Sequence, residues 1–418
     1  LALLVVSIVG LGIGLAMAAW TSVYILAKDP IPEKSDRLFR IHLDPRRVIG
    51  EEVSSYLTRL DAETLLRDGH GARQTMVAAG PSMLRIPNKE GAASHAISRY
   101  TTTDFFSMFL VPIVRGRVWT RQEESSQAQV ALIDKGLSEK LFGTPDSVGR
   151  DLVIDGFVFR IIGITDSWRP IPRFYDLSGD HFRNQDQLFI PFTTALGNRL
   201  NFSGELSCWA DVPSLEGGGD PRRATGAPCS WVGYWVELTS PSDRNSYRAY
   251  LDNYARHQNA IGRFLEPENV RMQNVREWLR SQKIVPRDVW IQSWVATGLL
   301  ILAIVNASGL ILTIFMRRRH EIAIRRAIGA SRASIFAQFM IEAGLLGSLG
   351  AGLSIMISIL ALWILRQQPY AYAGLARMNL TMFGTTLLAA LTSMLLAGAF
   401  PSWRAMRVPP ATSLKQGA

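Results

Sequence analysis

Four long stretches without a charged side chain govern what this chain can become. They cover residues 1–27, 289–316, 343–365 and 378–403. A helix needs about 20 apolar residues to cross the hydrocarbon core of a bilayer, and each stretch reaches that length. Within lipid the backbone has no water to bond, so every N–H and C=O must be satisfied inside the segment, as a helix does. Buried helices of a soluble protein rarely stay free of charge for so long. The chain therefore reads as a membrane protein with four transmembrane α-helices. Ala16-Met17-Ala18 has the small residues of a signal-peptide cleavage site, but the apolar run continues through Trp20 to Leu26. That exceeds the length of a signal core, so the first stretch also reads as a span.

A net charge of +10 invites nucleic acid until the charges are located. Eleven basic and only two acidic residues lie outside 28–288, which leaves +1 for that whole segment. The excess flanks membrane spans and argues against a nucleic-acid partner. Six arginines fall between 317 and 332, and Arg404, Arg407 and Lys415 follow the last run, whereas only Arg366 and Arg377 separate the third and fourth. By the positive-inside rule both termini and the 317–332 loop are cytoplasmic, and the large segment is external.

The resulting division is span 1 at 1–27, an extracytoplasmic domain at 28–286, and span 2 with a stalk at 287–316. A cytoplasmic coupling segment follows at 317–333, then span 3 at 334–365, an external loop at 366–377, span 4 at 378–403 and a tail at 404–418. Short β-branched or aromatic stretches predict strands at Phe39–Leu43, Gln129–Ile133, Leu152–Ile164, Gln187–Pro191 and Trp235–Thr239. Helical periodicity appears at Glu51–Leu66, Lys135–Phe142 and Tyr247–Ile261. Asp155-Gly156 is a hairpin signal. The domain is thus a large mixed α/β unit, long enough for two subdomains, with a surface loop near 203–230. Cys208 and Cys229 bracket a Gly/Pro-rich stretch of that loop in an oxidising compartment. They form either a disulfide, worth roughly 3 kcal/mol by loop closure, or two free thiols.

No catalytic constellation emerges. There is no Gly-x-Ser-x-Gly elbow or His-Glu-x-x-His, and His42, His70, His95, His181 and His257 are scattered. His320-Glu321 lacks the second histidine of a zinc helix. No Gly-x-x-x-x-Gly-Lys-Ser/Thr occurs, so the chain is not expected to bind ATP through a P-loop. No catalytic, cofactor or metal residues are assigned.

The most specific wording runs from 316 to 352, MRRRHEIAIRRAIGASRASIFAQFMIEAGLLGSLGAG. An arginine cluster precedes a short amphipathic segment with Ile322, Ile324, Ala327 and Ile328 among arginines. Gly329 breaks it, and Ser331 can cap the next helix. This stretch resembles the FtsX/MacB family of ABC-transporter permeases. Further likeness lies in Gly12-Ile13-Gly14, and in Thr102–Gly149 with Asp104-Phe105-Phe106, Arg115-Gly116-Arg117, Glu139-Lys140-Leu141-Phe142-Gly143 and Val148-Gly149. The closing run from Pro401 to Leu414 resembles the family's Pro-Ala-x-x-Ala-x-x-x-x-Pro-x-x-x-Leu. Ala323 and Ser402-Trp403 depart from the family pattern, and 201–234 matches none of it.

The resemblance implies a permease subunit in a bacterial inner membrane, with its large domain in the periplasm. Its coupling residues would be Glu321, Ile322, Ile324, Arg325, Arg326, Ile328 and Gly329, docking a separate cytoplasmic ABC ATPase that binds the ATP and magnesium. The three isoleucines would enter a cleft on that partner, while Arg317–Arg319 hold lipid phosphates. A second permease subunit, identical or not, and a periplasmic adaptor are implied partners. Export of a drug, peptide or lipid-like substrate is the implied role. The alternative is a regulatory scaffold controlling an envelope partner such as a cell-wall hydrolase. Glu342, about ten residues into the third helix, carries two readings: a paired functional charge within the span, or an interfacial carboxylate. Gly344, Gly347, Gly350 and Gly352 predict a face for close helix packing.

Overall fold

A computed structural model describes residues 1–45, 55–87, 93–178, 182, 186–210, 220–265, 270–368, 378 and 380–407. Outside them lie His181, Arg377, most of the 366–377 loop, the start of the helix expected from Glu51, and the end of the closing motif with Lys415. The chain divides into two compact units, Asp29–Gln282 and Leu1–Lys28 with Lys283–Ala418.

The second unit contains four helices long and apolar enough to span a bilayer, Ala2–Ala27, Arg287–Arg317, Arg332–Arg366 and Leu380–Ala405. Their packing rests on small residues. Gly14 lies so close to span 3 that an added Cβ would stand 2.6 Å from Ile357. In the same turn Ser358 donates a hydrogen bond to the Gly14 carbonyl at 3.1 Å. Gly12 instead faces Ala303 of span 2. The expected glycine face of span 3 is only partly used. Gly347 meets Met394, and Ala343 meets Gly398, while a Cβ on Gly344, Gly350 or Gly352 would find nothing within 4 Å. The packing stripe is Ala343, Gly347, Ala351, Ser354 and Ser358, which repeats at three to four residues along one face. At one end of this unit Trp20 packs edge-on to Trp290 and Trp294 and donates from Nε1 to Thr297 Oγ1 at 2.9 Å.

The other unit is built on a mixed sheet. Its strands run in the order Val270–Asn274, Leu38–Leu43, Cys229–Glu237, Arg73–Arg85, Ser94–Thr101, Leu188–Pro191, Val130–Asp134, Phe157–Thr165 and Ile113–Gly116. Two neighbouring pairs are parallel, Ser94–Thr101 with Leu188–Pro191 and Val130–Asp134 with Phe157–Thr165. Side chains alternate across a strand, so a central strand can feed two cores. Tyr234 and Val236 enter a core rich in Ile and Leu, while Trp235 between them enters an aromatic one with Phe105, Phe109, Phe174 and Tyr175.

The strand read at Leu152–Ile164 is a hairpin, Asp151–Ile154 and Phe157–Thr165, turning at Asp155-Gly156 with φ of 48° and 93°. Two expectations need correction. The helix read from Glu51 begins at Arg59, where Thr58 caps it by accepting from Asp61 N, and Leu57–Thr58 pair with the sheet. The loop read through 230 ends sooner, because Cys229 and Ser230 already belong to a fully buried strand. The family-like pieces of Thr102–Gly149 are architectural. Phe105 and Phe106 enter the aromatic core, and Gly143 ends the helix Lys135–Phe142 in the left-handed region.

Among the buried charges of this unit, one cluster joins an arginine to two carboxylates. Arg99, fully buried, pairs with Asp176 and places Nε 2.8 Å from Asp186 Oδ2, which also accepts from Tyr175 Oη at 2.6 Å. Burial pushes both carboxyls up, but the charges of Arg99 and Arg173 outweigh it and hold both below the usual carboxylate range. Cys208 and Cys229 face each other across adjacent antiparallel strands and are joined as a disulfide, 21 residues apart in sequence. Non-reducing peptide mapping of the native oxidised protein is expected to find that pair linked. Full alkylation of both thiols before reduction would refute the bond.

Candidate functional site

The segment expected to couple to an ATPase lies between spans 2 and 3. Span 2 ends at Arg317, Arg318 breaks the helix, and a nine-residue helix runs Arg319–Ala327. Ile328 closes it, and Gly329 at φ 110° turns the chain in a region that side-chain-bearing residues avoid. Ser331 then caps the next helix by accepting from Ser334 N at 3.1 Å.

The helix Arg319–Ala327 packs against the first turns of the helix that becomes span 3. The contacts run antiparallel: Arg318 Nη1 lies 3.1 Å from Glu342 Oε2, and Arg325 Nη1 donates to Gln338 Oε1 at 2.7 Å. The two helices therefore form a hairpin with its tip near Gly329. Glu342 stands ten residues after Arg332, a helical rise of about 15 Å. Its pairing with Arg318 sets it level with the end of span 2. Arg318, read with Arg317 and Arg319 as a holder of lipid phosphates, is engaged by Glu342 instead.

The expected isoleucine stripe divides into two. Ile322 is 3% exposed and packs in one core with Phe315, Ile335 and Phe339, with Phe315 and Phe339 ring centroids 4.1 Å apart. It is part of this chain's own interior, which corrects the expectation that all three isoleucines are free to enter a partner's cleft. Ala323 is buried beside it. Ile324 and Ile328 point away, 40% and 82% exposed, and lie one turn apart on the outer face. Burial distinguishes these positions because the apolar period of so short a helix has two faces, and its hydrophobic wording does not say which one the bundle covers.

The charged residues sit around this outer face. Arg325 Nη2 lies 2.6 Å from Glu321 Oε1 one turn earlier. Arg326 Nη1 donates to the Met406 carbonyl at 3.4 Å, which ties the hairpin to the end of span 4. Near that end the Arg407 guanidinium lies 3.8 Å from the Trp403 ring centroid. The first of these contacts was not legible in the sequence, since 80 residues separate Arg326 from Met406. The arrangement offers two apolar side chains on a small tip, surrounded by fixed charges. That is the pattern of a protein-binding knob, in which buried anchors supply affinity and rim charges set register. Among the described residues no group of three or more His, Cys, Asp or Glu is placed to hold a metal.

Residues 2–254 match the family profile of the MacB-like periplasmic core domain, and residues 294–410 match that of the FtsX-like permease C-terminal region. Macrolide export ATP-binding/permease protein MacB 2 of Aeromonas hydrophila is 23% identical over 364 residues, covering 84% of this chain and 50% of that protein. Macrolide export ATP-binding/permease protein MacB of Wolinella succinogenes is 24% identical over 261 residues, covering 62% of this chain and 34% of that protein. The chain thus spans half or less of the length of these curated relatives. Among solved structures, the periplasmic region of MacB from Actinobacillus actinomycetemcomitans aligns at a TM-score of 0.39 with 14% identity, covering 62% of this chain and 97% of that one.

Proposed function

This chain belongs to the family of ABC-transporter permeases that join a MacB-like periplasmic core domain to an FtsX-like permease region, and from that premise we propose that it works by mechanotransmission. ATP-driven closing of a cytoplasmic ABC ATPase is passed through the spans to the domain outside the membrane. The observation that carries this reading is the exposed apolar tip, Ile324 and Ile328, held between spans 2 and 3 among six arginines. ATP and magnesium belong to the ATPase. The chain sits in the bacterial inner membrane, with Ser331 on the cytoplasmic side and Asp29–Gln282 in the periplasm, and a second permease subunit completes the complex. Export of a drug-like, peptide or lipid-like substrate, with a periplasmic adaptor, is the role favoured by relatives named for macrolide export.

Native mass spectrometry of the gently solubilised complex is expected to show ABC ATPase subunits bound to the chain. In spheroplasts, a membrane-impermeant thiol reagent should label Lys140→Cys and leave Ser331→Cys untouched. Labelling of Ser331→Cys from outside reverses the orientation and removes the docking argument with it.

A further inference from the structure

Two breaks flank the helix Arg319–Ala327. On one side Arg318 leaves the helical hydrogen-bonding pattern, and on the other Gly329 adopts a left-handed turn. A nine-residue helix between two such joints could pivot under load, and a push on its tip would then be absorbed at the joints. What opposes pivoting on one side is the apolar contact of Ile322 with Ile335 and Phe339. Apolar contact is non-directional and permits rolling and sliding.

The other side carries a continuous polar ladder. Glu321 accepts from Arg325 at 2.6 Å, Arg325 donates to Gln338 at 2.7 Å, Gln338 donates to Glu342 at 3.4 Å, and Glu342 accepts from Arg318 at 3.1 Å. Arg318 and Glu321 are themselves only three residues apart, so the five side chains nearly close a ring across the two helices. The gap behind them, lined by Arg318, Glu321, Arg325 and Gln338 with Ile322, Ile335 and Phe339, has a volume of about 10 Å³, room for at most one water. Such a ring is directional. Rolling the short helix about its axis, or sliding it along span 3, breaks at least one of its bonds.

We propose that this ladder is a latch that makes the hairpin rigid, and that Glu342 is its central positioning residue. Glu342 acts through Arg318 and Gln338, so that force on the Ile324–Ile328 tip moves span 3 instead of flexing the joints. This rests on the docking reading for the source of the force, while the rigidity itself does not depend on any ATPase.

The test has one arm without the partner and one with it. Spin labels at Ala327→Cys and Ser348→Cys, in the full chain in nanodiscs, should give a narrow distance distribution. Adding Glu342→Ala should broaden it, and Glu342→Gln should broaden it less. The charge swap Arg318→Glu with Glu342→Arg should narrow it again, which a merely destabilised fold would not do. With the ATPase, Glu342→Ala should lower stimulated hydrolysis by about tenfold while the ATPase still copurifies, and the swap should restore it. An unchanged distribution in Glu342→Ala, or a swap that restores neither readout, overturns the latch. If the unmodified chain retains no ATPase, the docking reading fails, and the distance measurements still decide the latch.

Discussion

Ile328→Asp is expected to abolish retention of the ATPase by an otherwise intact permease. Ile328 lies at the hairpin tip, 82% exposed, so an aspartate there costs the free chain almost nothing. In a docked complex the same carboxylate would be driven into an apolar cleft without a partner. Loss of a buried anchor costs about 2 kcal/mol or more, and burial of an unpaired charge adds to it, so affinity should fall by at least about 30-fold. Ile324→Asp should act in the same direction with a smaller effect, because Ile324 is already partly covered. Ile322→Asp is the informative contrast. Its side chain stands among Phe315, Ile335 and Phe339, so the substitution should disorder the hairpin and reduce the yield of folded protein. Copurification and stimulated ATP hydrolysis would be measured for each variant in nanodiscs, beside thermal stability of the permease alone. If Ile328→Asp retains and stimulates the ATPase like the unmodified chain, the tip is not the docking surface.

The second large effect should fall on the stability of the unit Asp29–Gln282. Arg99→Met replaces a fully buried guanidinium with an apolar chain of similar length and leaves only Arg173 to offset the charges of Asp176 and Asp186. Breaking a buried ion pair from one side costs about 3–5 kcal/mol, because the orphaned charge stays desolvated. For a unit of this size that is a fall of about 10 °C in the unfolding midpoint. The pH dependence supplies the sign. In the unmodified protein both carboxyls lie below their unfolded range, so their contribution is complete above a pH of about 4 and fades as pH falls through the folded values. Without Arg99 only Arg173 opposes burial, so both carboxyls rise and folding loses much of its preference for the charged form. The deficit of Arg99→Met should be greatest at neutral pH and shrink as pH is lowered toward about 5. Tryptophan fluorescence on heating would follow it, since Trp168 stacks on Tyr175 within this region. A deficit that grows on acidification contradicts the assignment of the charges.

The hairpin at Asp155-Gly156 and the helix Lys135–Phe142 were legible because their signals are local: a turn dipeptide and an apolar period of three to four residues. The neighbouring strands Arg73–Arg85 and Ser94–Thr101 were not. Ala78-Ala79-Gly80-Pro81 has poor β propensity, and Arg99 sits where an aliphatic residue would mark a buried strand. Pairing on both sides and the distant Asp176 and Asp186 make that sequence a strand. In the site, Glu321, Arg325 and the capping Ser331 were readable for the same local reason. The ladder from Arg325 through Gln338 and Glu342 to Arg318 was not, because its members come together only when two helices fold back at Gly329.

The sequence by itself determined that four helices cross a membrane, since a charge-free run in lipid leaves the backbone no other way to satisfy its hydrogen bonds. It determined too the separation of a nearly neutral α/β domain from a basic membrane half, because composition and charge are additive along the chain. Only the tertiary structure decided which isoleucine of the coupling segment is interior and which is surface. It also decided that Glu342 sits level with the end of span 2, and that Ala343 rather than Gly344 meets span 4. Those outcomes depend on which face of each helix a neighbour covers. A face is selected by packing against residues remote in sequence, and no local pattern carries that information.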